Sequence, residues 1–558
     1  MSKFSSILEK NLHFLIVAFI LVVPLFFLKY KTVNLSNQIV ILPSLASSCE
    51  VIFSRNLRYG NTGNDVAKLQ KILNLSDESG HFDLLTYHAV IKFQEKYATD
   101  ILLPLGLTVG TGFVGPYTRA KIEKEMCLIS LAGVVEDIPT NSNKLFNFWY
   151  VLVVLILVWG VNFIFWGSIG VARLLTEKIN ALIFGKNRNG LKEHQIEEEE
   201  VAVIVPAHNE ELVIADTLKS LLNITKPTNI FVVSDGSSDS TAQIAHQYGV
   251  SVLELNPNRG KAGAIETSIL RFKISQKYKA VVLIDADTRL KNDYLKKALP
   301  FFDDPEVVAI AGFASTIWQR EKLSWRQMLF VLHRDRIYFL FQMLIKFGQT
   351  WKYANVTHIV PGFASIYRTS ILNQIDINPS GLVIEDFNMT FEVHRKKLGK
   401  IAHHPSVVAY TQDPDNLKDY YRQIKRWHLG FWQTIRLHGF WPSKFWLSMA
   451  ITLMEVVLGN LTFLLMPLLI LTYFVLDSSF FLTVFFITWA VDYLLTIIVA
   501  LFQKRWEYLI VGLTFPLLRF VDAVALLLAI PRAFLVRSDG RWISPSRRAE
   551  GSLGQIST

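Results

Sequence analysis

Residues 281–290 read VVLIDADTRL, so Asp285 and Asp287 stand one residue apart where an apolar strand would leave its sheet. Like charges placed so close raise each other's cost unless a cation lies between them. Mg2+ or Mn2+ prefers carboxylate, water and phosphate oxygens, so this pair suits an ion that also grips a diphosphate. Three further polar clusters follow apolar runs: PAHNEE (206–211), SDGSSDS (234–240) and NPNRGK (256–261). In them Asp235 offers an acceptor to a base or ribose, and Lys261 a charge to offset phosphate. Each cluster alone is ordinary turn chemistry; four on one rim point to a shared ligand. Downstream, Glu385 and Asp386 open a helical stretch in GLVIEDFNMTFEVHRKKLG (381–399). There they serve as helix-dipole partners or supply a general base. In DYYRQIKRWHLGFWQTI (419–435), Gln423, Arg426 and Trp427 share a helix face. Arginine binds phosphate bidentately, and tryptophan offers a flat surface to a sugar ring. The same residue types also populate membrane boundaries, so an interfacial helix is the competing reading. No Walker A lysine motif occurs and no GxGxxG follows the first strand, which argues against a P-loop ATPase and a dinucleotide oxidoreductase.

The elements that must hold these residues alternate in type. VAVIVPA (201–207), NIFVVSD (229–235), SVLELN (251–256) and AVVLIDAD (280–287) read as strands, with helical stretches between them. This order predicts an α/β domain over 197–440 with a mostly parallel sheet and helices on both faces. Ligands of such sheets bind beyond the carboxyl ends of the strands, where the polar clusters lie.

The 558 residues are 51% hydrophobic and 19% charged, too apolar for an ordinary soluble chain and too long for one domain. Apolar runs at 12–28, 146–170, 446–476, 479–502 and 508–531 account for this. They divide the chain into an anchor (1–29), a second span (145–172), C-terminal membrane or interface helices (445–535) and a basic cytoplasmic tail (536–558). Arg173, Lys178, Lys186, Arg188 and Lys192 follow the second run, whereas Glu136, Asp137 and Lys144 precede it. Positive-inside reasoning puts its C-terminal side in the cytoplasm and residues 30–145 outside. Basic residues flank 508–531 on both sides, which favours a re-entrant or interfacial segment there. Glu455, Asp492, Arg519 and Asp522 fall within these runs; Glu455 and Asp492 above all are expected to line a polar channel, with internal pairing as the alternative, for which Arg519 and Asp522 stand three apart. The net charge of +10 suits acidic lipid; without a nucleic-acid motif it does not call for nucleic acid. Cys49 and Cys127 bracket the external segment, and a disulfide between them would close it. Inside, LRYGNTGNDVAKLQKIL (57–73), TYHAVIKFQEKY (86–97) and GTGFVGPYTRAKI (110–122) read as three helical blocks, with Asp65 as the first N-cap.

Two resemblances follow. The blocks DVAKLQKIL, GHFDLLTYHAVIKFQ and GFVGPYTRAKI resemble the peptidoglycan-binding-domain-1-like family, which implies a three-helix, noncatalytic wall-glycan module over 49–127. A spacer that keeps the fold without the ligand is the alternative. The ordered set PAHNE, SDGSSD, GKAGA, DAD, PGFASIYR, ED and QIKRW resembles the processive membrane branch of the family 2 glycosyltransferases, with a GT-A fold. That resemblance implies a UDP-sugar donor, first of all UDP-N-acetylglucosamine, a growing polysaccharide acceptor and a multi-pass bacterial cytoplasmic-membrane enzyme. It assigns Asp235 and Glu210 to the UDP moiety, with Pro206 and His208 beside them. Asp285 and Asp287 would hold Mg2+ or Mn2+ and the diphosphate, and Asp386, next to Glu385, would be the base. Gln423 and Arg426 would steady the pyrophosphate, while Gly362 and Trp427 would face the acceptor. His208 stands where the family has tyrosine, and Ile384 where it has threonine, which bears on sugar preference. A small accessory membrane subunit accords with this class. A single-transfer enzyme acting on a lipid phosphate and an inactive wall-anchoring scaffold are the other readings; QIKRW and the filled catalytic positions weigh against them.

Overall fold

The computed structural model describes residues 55–125, 160–183, 194–476, 480–536 and 547–548. The anchor at 12–28, both cysteines and their expected disulfide lie outside the described residues. The chain divides into a small unit within Leu28–Tyr150 and a large one from Val151 onward.

The small unit holds helices Asn64–Ile72 and Leu84–Lys96, and a third over 116–125. Leu57, Val66, Leu69, Phe82, Val90, Val114 and Ile122 form its core. Asp83, whose carboxylate accepts the Thr86 N–H, caps the second helix. Asp65 does not cap the first: the helix begins one residue earlier, after Gly63, and Asp65 sits in its first turn facing Arg55. Buried Gln70 and Gln94 each clamp a loop. Gln70 accepts from Gly80 N–H and donates to the His81 carbonyl; Gln94 accepts from Thr111 and Gly112 N–H and donates to the Phe113 carbonyl.

The large unit is built on an eight-stranded sheet ordered β3-β2-β1-β4-β7-β6-β8-β5. The strands are β1 (Val201–Ala207), β2 (Ile230–Asp235), β3 (Ser251–Leu255), β4 (Ala280–Ile284), β5 (Arg289–Leu290), β6 (Val307–Thr316), β7 (Ala364–Arg368) and β8 (Lys400–Thr411). β1 is buried on both faces, so its residues alternate between two cores. Val201, Val203 and Val205 join helix Ile214–Leu222 on one side; Ala202 and Ile204 join helix Gly260–Arg271 on the other. β3, β2, β1 and β4 are mutually parallel, as the alternating pattern predicts. β6 and β8 share the direction of these four, so the sheet is mostly parallel with two exceptions: β7 runs antiparallel to β4 and β6, and β5 antiparallel to β8. β7 arrives after a helical excursion through 325–349 and enters from the opposite end, a route that local periodicity does not encode. β4 also stops at Ile284, leaving Asp285 and Asp287 in the turn beyond it.

Among the described residues, Lys444–Leu465, Phe485–Gln503 and Glu507–Leu535 are long and apolar enough to cross a membrane. The last comprises helix Glu507–Val511, a 3-10 turn and helix Phe515–Leu535, which packs along helix Leu417–His438. The described helix Val161–Ile183 covers only the end of the expected second span and runs past it. The acidic residues expected to line a channel are instead engaged by protein partners. Glu455 accepts from the backbone and side chain of Asn162, both at 2.8 Å. Asp492 pairs with Arg336 at 2.7 Å and Arg519 at 3.5 Å. Arg519 therefore reaches across to another helix rather than to Asp522, which accepts from the Tyr420 hydroxyl at 2.6 Å and lies 3.4 Å from His333.

Candidate active site

The strand ends and two later helices converge on a cavity of about 690 Å3. Lys261, Asp285, Asp287, Gly362, Glu385, Asp386, Gln423, Arg426 and Trp427 all line it. Asp235 lies one layer behind. It ends β2 fully buried; one carboxylate oxygen accepts the Arg259 N–H at 2.7 Å, and Arg259 lines the cavity. Its other oxygen is buried with no hydrogen-bond partner in the protein, and burial pushes its pKa up. His208 Nδ1 stands 2.7 Å from the Asp235 carbonyl. Pro206 is buried within β1, paired in register with Val233, and does not reach the cavity. Glu210 is buried too and reaches the cavity only through a partner described below.

Lys261 opens helix Gly260–Arg271. Its ammonium is 2.7 Å from Asp285, 2.8 Å from Glu385 and 3.2 Å from the Gly362 carbonyl. Burial opposes the charge, yet the two carboxylates outweigh it and hold the lysine pKa above its ordinary value. Lys261, expected as a counter-charge to phosphate, here ties Asp285 to Glu385, and Glu385 serves this lysine rather than only the helix dipole. A Cβ on Gly362 would come within 2.8 Å of Glu385 Oε1 and 2.9 Å of Lys261 Nζ, so a larger residue here would push the ends of these two side chains aside. Asp386, in the first turn of helix Glu385–Arg395, accepts Gly362 N–H at 3.1 Å and Phe387 N–H at 2.7 Å. Burial, and then the charge of Glu385, push its pKa up to about 6, with Lys261 opposing.

Asp287 is buried with its pKa raised by burial and held back by a cation absent from the sequence expectations. Arg547 donates to both Glu210 oxygens at 2.7 Å and also pairs with Asp287. Arg548 clamps the dipeptide in place: its N–H and carbonyl bond Gln412 at 3.0 Å, and its side chain lies 2.9 Å from Asp415. The expected pair Asp285 and Asp287 is therefore split between Lys261 and Arg547. Two adjacent arginines were the available signal, and in the sequence they are part of the basic tail over 536–558.

Helix Leu417–His438 begins where Asn416 accepts the Asp419 N–H, and it presents Gln423, Arg426 and Trp427 to the cavity together. Gln423 Oε1 and Arg426 Nε are buried with no hydrogen-bond partner in the protein. Buried donors and acceptors are seldom left so, and these two, with the free oxygen of Asp235, match a ligand that both accepts and donates hydrogen bonds. The donor set fits a hard cation as well. Among the described residues no group of three or more His, Cys, Asp or Glu could hold a metal, so Asp285 and Asp287 would leave the other positions to phosphate and water. Lys346, also unforeseen, lines the cavity from the last position of a π-helical turn, Phe341–Lys346. Burial lowers its pKa to about 7, against the charge of Asp386.

Residues 202–376 match the glycosyl transferase family 2 profile. The chain is 26% identical over 425 residues to a poly-beta-1,6-N-acetyl-D-glucosamine synthase of Staphylococcus epidermidis, covering 69% of this chain and 95% of that protein. It is 29% identical over 261 residues to a probable glycosyltransferase of Bacillus subtilis, covering 45% and 59%. Among solved structures, a mannosyltransferase of Pyrobaculum calidifontis in complex with GDP-Man and Mn2+ aligns at 16% identity and a TM-score of 0.36, over 64% of this chain and 98% of that one.

Proposed function

We propose that this family 2 glycosyltransferase transfers N-acetylglucosamine from a UDP-linked donor to a growing β-linked polysaccharide, with inversion at the anomeric carbon, and passes the polymer across the membrane. The observation that carries the reading is the single cavity lined by Asp285, Asp287, Asp386, Arg426 and Trp427. The likeness to the staphylococcal synthase over most of its length supports the choice of polymer.

The donor nucleoside is assigned to the side of the cavity where Arg259 covers Asp235, which keeps one buried oxygen without a partner and would be reached once that cover shifts. Asp285 and Asp287 would hold Mg2+ or Mn2+, which when bound offsets the charge developing on the departing diphosphate. Arg426 and Gln423 bind the same diphosphate. Asp386 takes the proton from an acceptor hydroxyl, and that oxygen attacks the anomeric carbon from the face opposite UDP. A carboxylate with a pKa of about 6 is ionised at neutral pH yet basic enough to accept a proton as the bond forms. Trp427 carries the acceptor ring. The small helical unit, by its resemblance, would bind wall glycan.

Purified protein incubated with a panel of UDP-sugars and Mn2+, with products read by mass spectrometry, tests this. A ladder of N-acetylhexosamine units is expected. A single added sugar, or no product from any UDP-sugar, would overturn it.

A further inference from the structure

Helix Trp325–Leu340 carries the run His333, Arg334, Asp335, Arg336. Successive helical residues point about 100° apart, so such a run normally has a solvated side. Here all four are at most 4% exposed. Three are anchored by ordinary polar partners. His333 faces Asp522 at 3.4 Å; Asp335 accepts from Arg505 at 2.7 Å and from Thr316 N–H at 3.1 Å; Arg336 pairs with Asp492. These contacts fix the helix against the segments 480–503 and 505–535.

Arg334 is held differently. Its nearest carboxylate, Asp413, is 3.9 Å away and accepts instead from the Thr316 hydroxyl at 2.6 Å. Its Nε is buried without a hydrogen-bond partner. The guanidinium lies over the ring of Trp427 at 4.0 Å from the centroid and 4.9 Å from that of Tyr338, whose hydroxyl accepts from Nη2 at 3.1 Å. Trp427 and Tyr338 both line the cavity. A desolvated cation over an indole is attracted by the ring quadrupole, and the contact restrains the plane of the ring.

We propose that Arg334 is a positioning residue for the acceptor: it covers one face of Trp427 and so holds the other flat against the incoming glycan ring. This rests on the reading of Trp427 as acceptor platform. The arginine touches no substrate; it acts by removing the freedom that the indole would otherwise lose on each binding event. Its effect therefore falls on the acceptor and not on the nucleotide.

The test uses full-length enzyme in lipid nanodiscs, with UDP-N-acetylglucosamine as donor and a β-linked N-acetylglucosamine pentasaccharide as acceptor probe. Arg334→Met is expected to raise the acceptor KM about tenfold while leaving the donor KM within about twofold, and Arg334→Lys to recover part of the loss. In a Trp427→Leu background the same Arg334→Met change should add less than about twofold, because the partner is gone. Equal effects in the two backgrounds, or parallel changes in both KM values, would make Arg334 a structural residue only and overturn the proposal. If Arg334→Met fails to fold, Arg334→Met with Asp413→Asn removes the stranded charge and carries the same comparison. An acceptor KM unmoved by Trp427→Leu would sink the platform reading and this proposal together. A large Trp427→Leu effect with additive Arg334→Met sinks the proposal alone.

Discussion

Replacing Asp386 by asparagine isolates the proton transfer from the architecture around it. The carboxylate accepts two backbone N–H groups, from Gly362 and Phe387. An asparagine oxygen can keep one of them, so about 1 kcal/mol of hydrogen bonding is lost. Relief of a buried charge beside Glu385 offsets part of that, and the fold should tolerate the change. The nucleotide contacts assigned to Asp235, Asp287 and Arg426 are untouched, which keeps UDP affinity within about threefold. What disappears is the base. General-base catalysis contributes on the order of 10²–10⁴ in rate, roughly 3–5 kcal/mol of barrier at about 1.4 kcal/mol per tenfold. UDP release under saturating donor should therefore fall by at least about a hundredfold, while UDP binding by calorimetry stays near wild type. Turnover within about tenfold of wild type would refute the assignment, and loss of both binding and turnover would show that the side chain holds the donor instead.

Because the Asp386 pKa is raised to about 6, kcat should fall as pH drops through that value, measured as UDP release from pH 5 to 8. The linked stability term has the opposite sense: it is fully present below the ordinary value of 3.8 and lost as pH rises through about 6, so acid that stops turnover favours the fold at this residue. Lys346→Met should raise the melting temperature, since the folded lysine has its pKa lowered to about 7 from 10.5. The gain is nil above pH 10.5, grows as pH falls, and levels off below about 7; a pH-independent gain would contradict this. Arg547→Ala leaves Glu210 and Asp287 buried without their guanidinium, a loss of about 3 kcal/mol for one partner of a buried pair. Its melting temperature should drop in chelator and recover with Mn2+ by more than wild type gains; an unchanged Mn2+ response would separate Asp287 from metal binding.

Much of the site could be read along the chain. β1, β2 and β3 fall within a residue of the apolar runs that predict them; Glu210 and Asp235 come at or after the ends of β1 and β2 because strands buried on both faces admit charged residues only where they stop, while Arg259 follows β3, the half-exposed edge strand. Helix Leu417–His438 keeps Gln423, Arg426 and Trp427 together because three- and four-residue spacing is a property of the helix itself. The edges were less legible. Asp65 has the residue type of a cap and occupies the first turn, since the backbone turns at Gly63 instead. Arg519 and Asp522 have helical spacing, yet Asp492 on a packed neighbour lies closer to the arginine.

The sequence by itself determined the alternation of strands and helices, the apolar segments and the acidic strand ends, because periodicity and local composition act over a few residues. Only the tertiary structure decided which charge answers which. Lys261 between Asp285 and Glu385, Arg547 on Glu210 and Asp287, and Arg334 over Trp427 join segments far apart along the chain. Burial makes such pairings obligatory, since a lone charge away from water is costly, but the partner is whichever group packing brings within reach, and no local pattern encodes that.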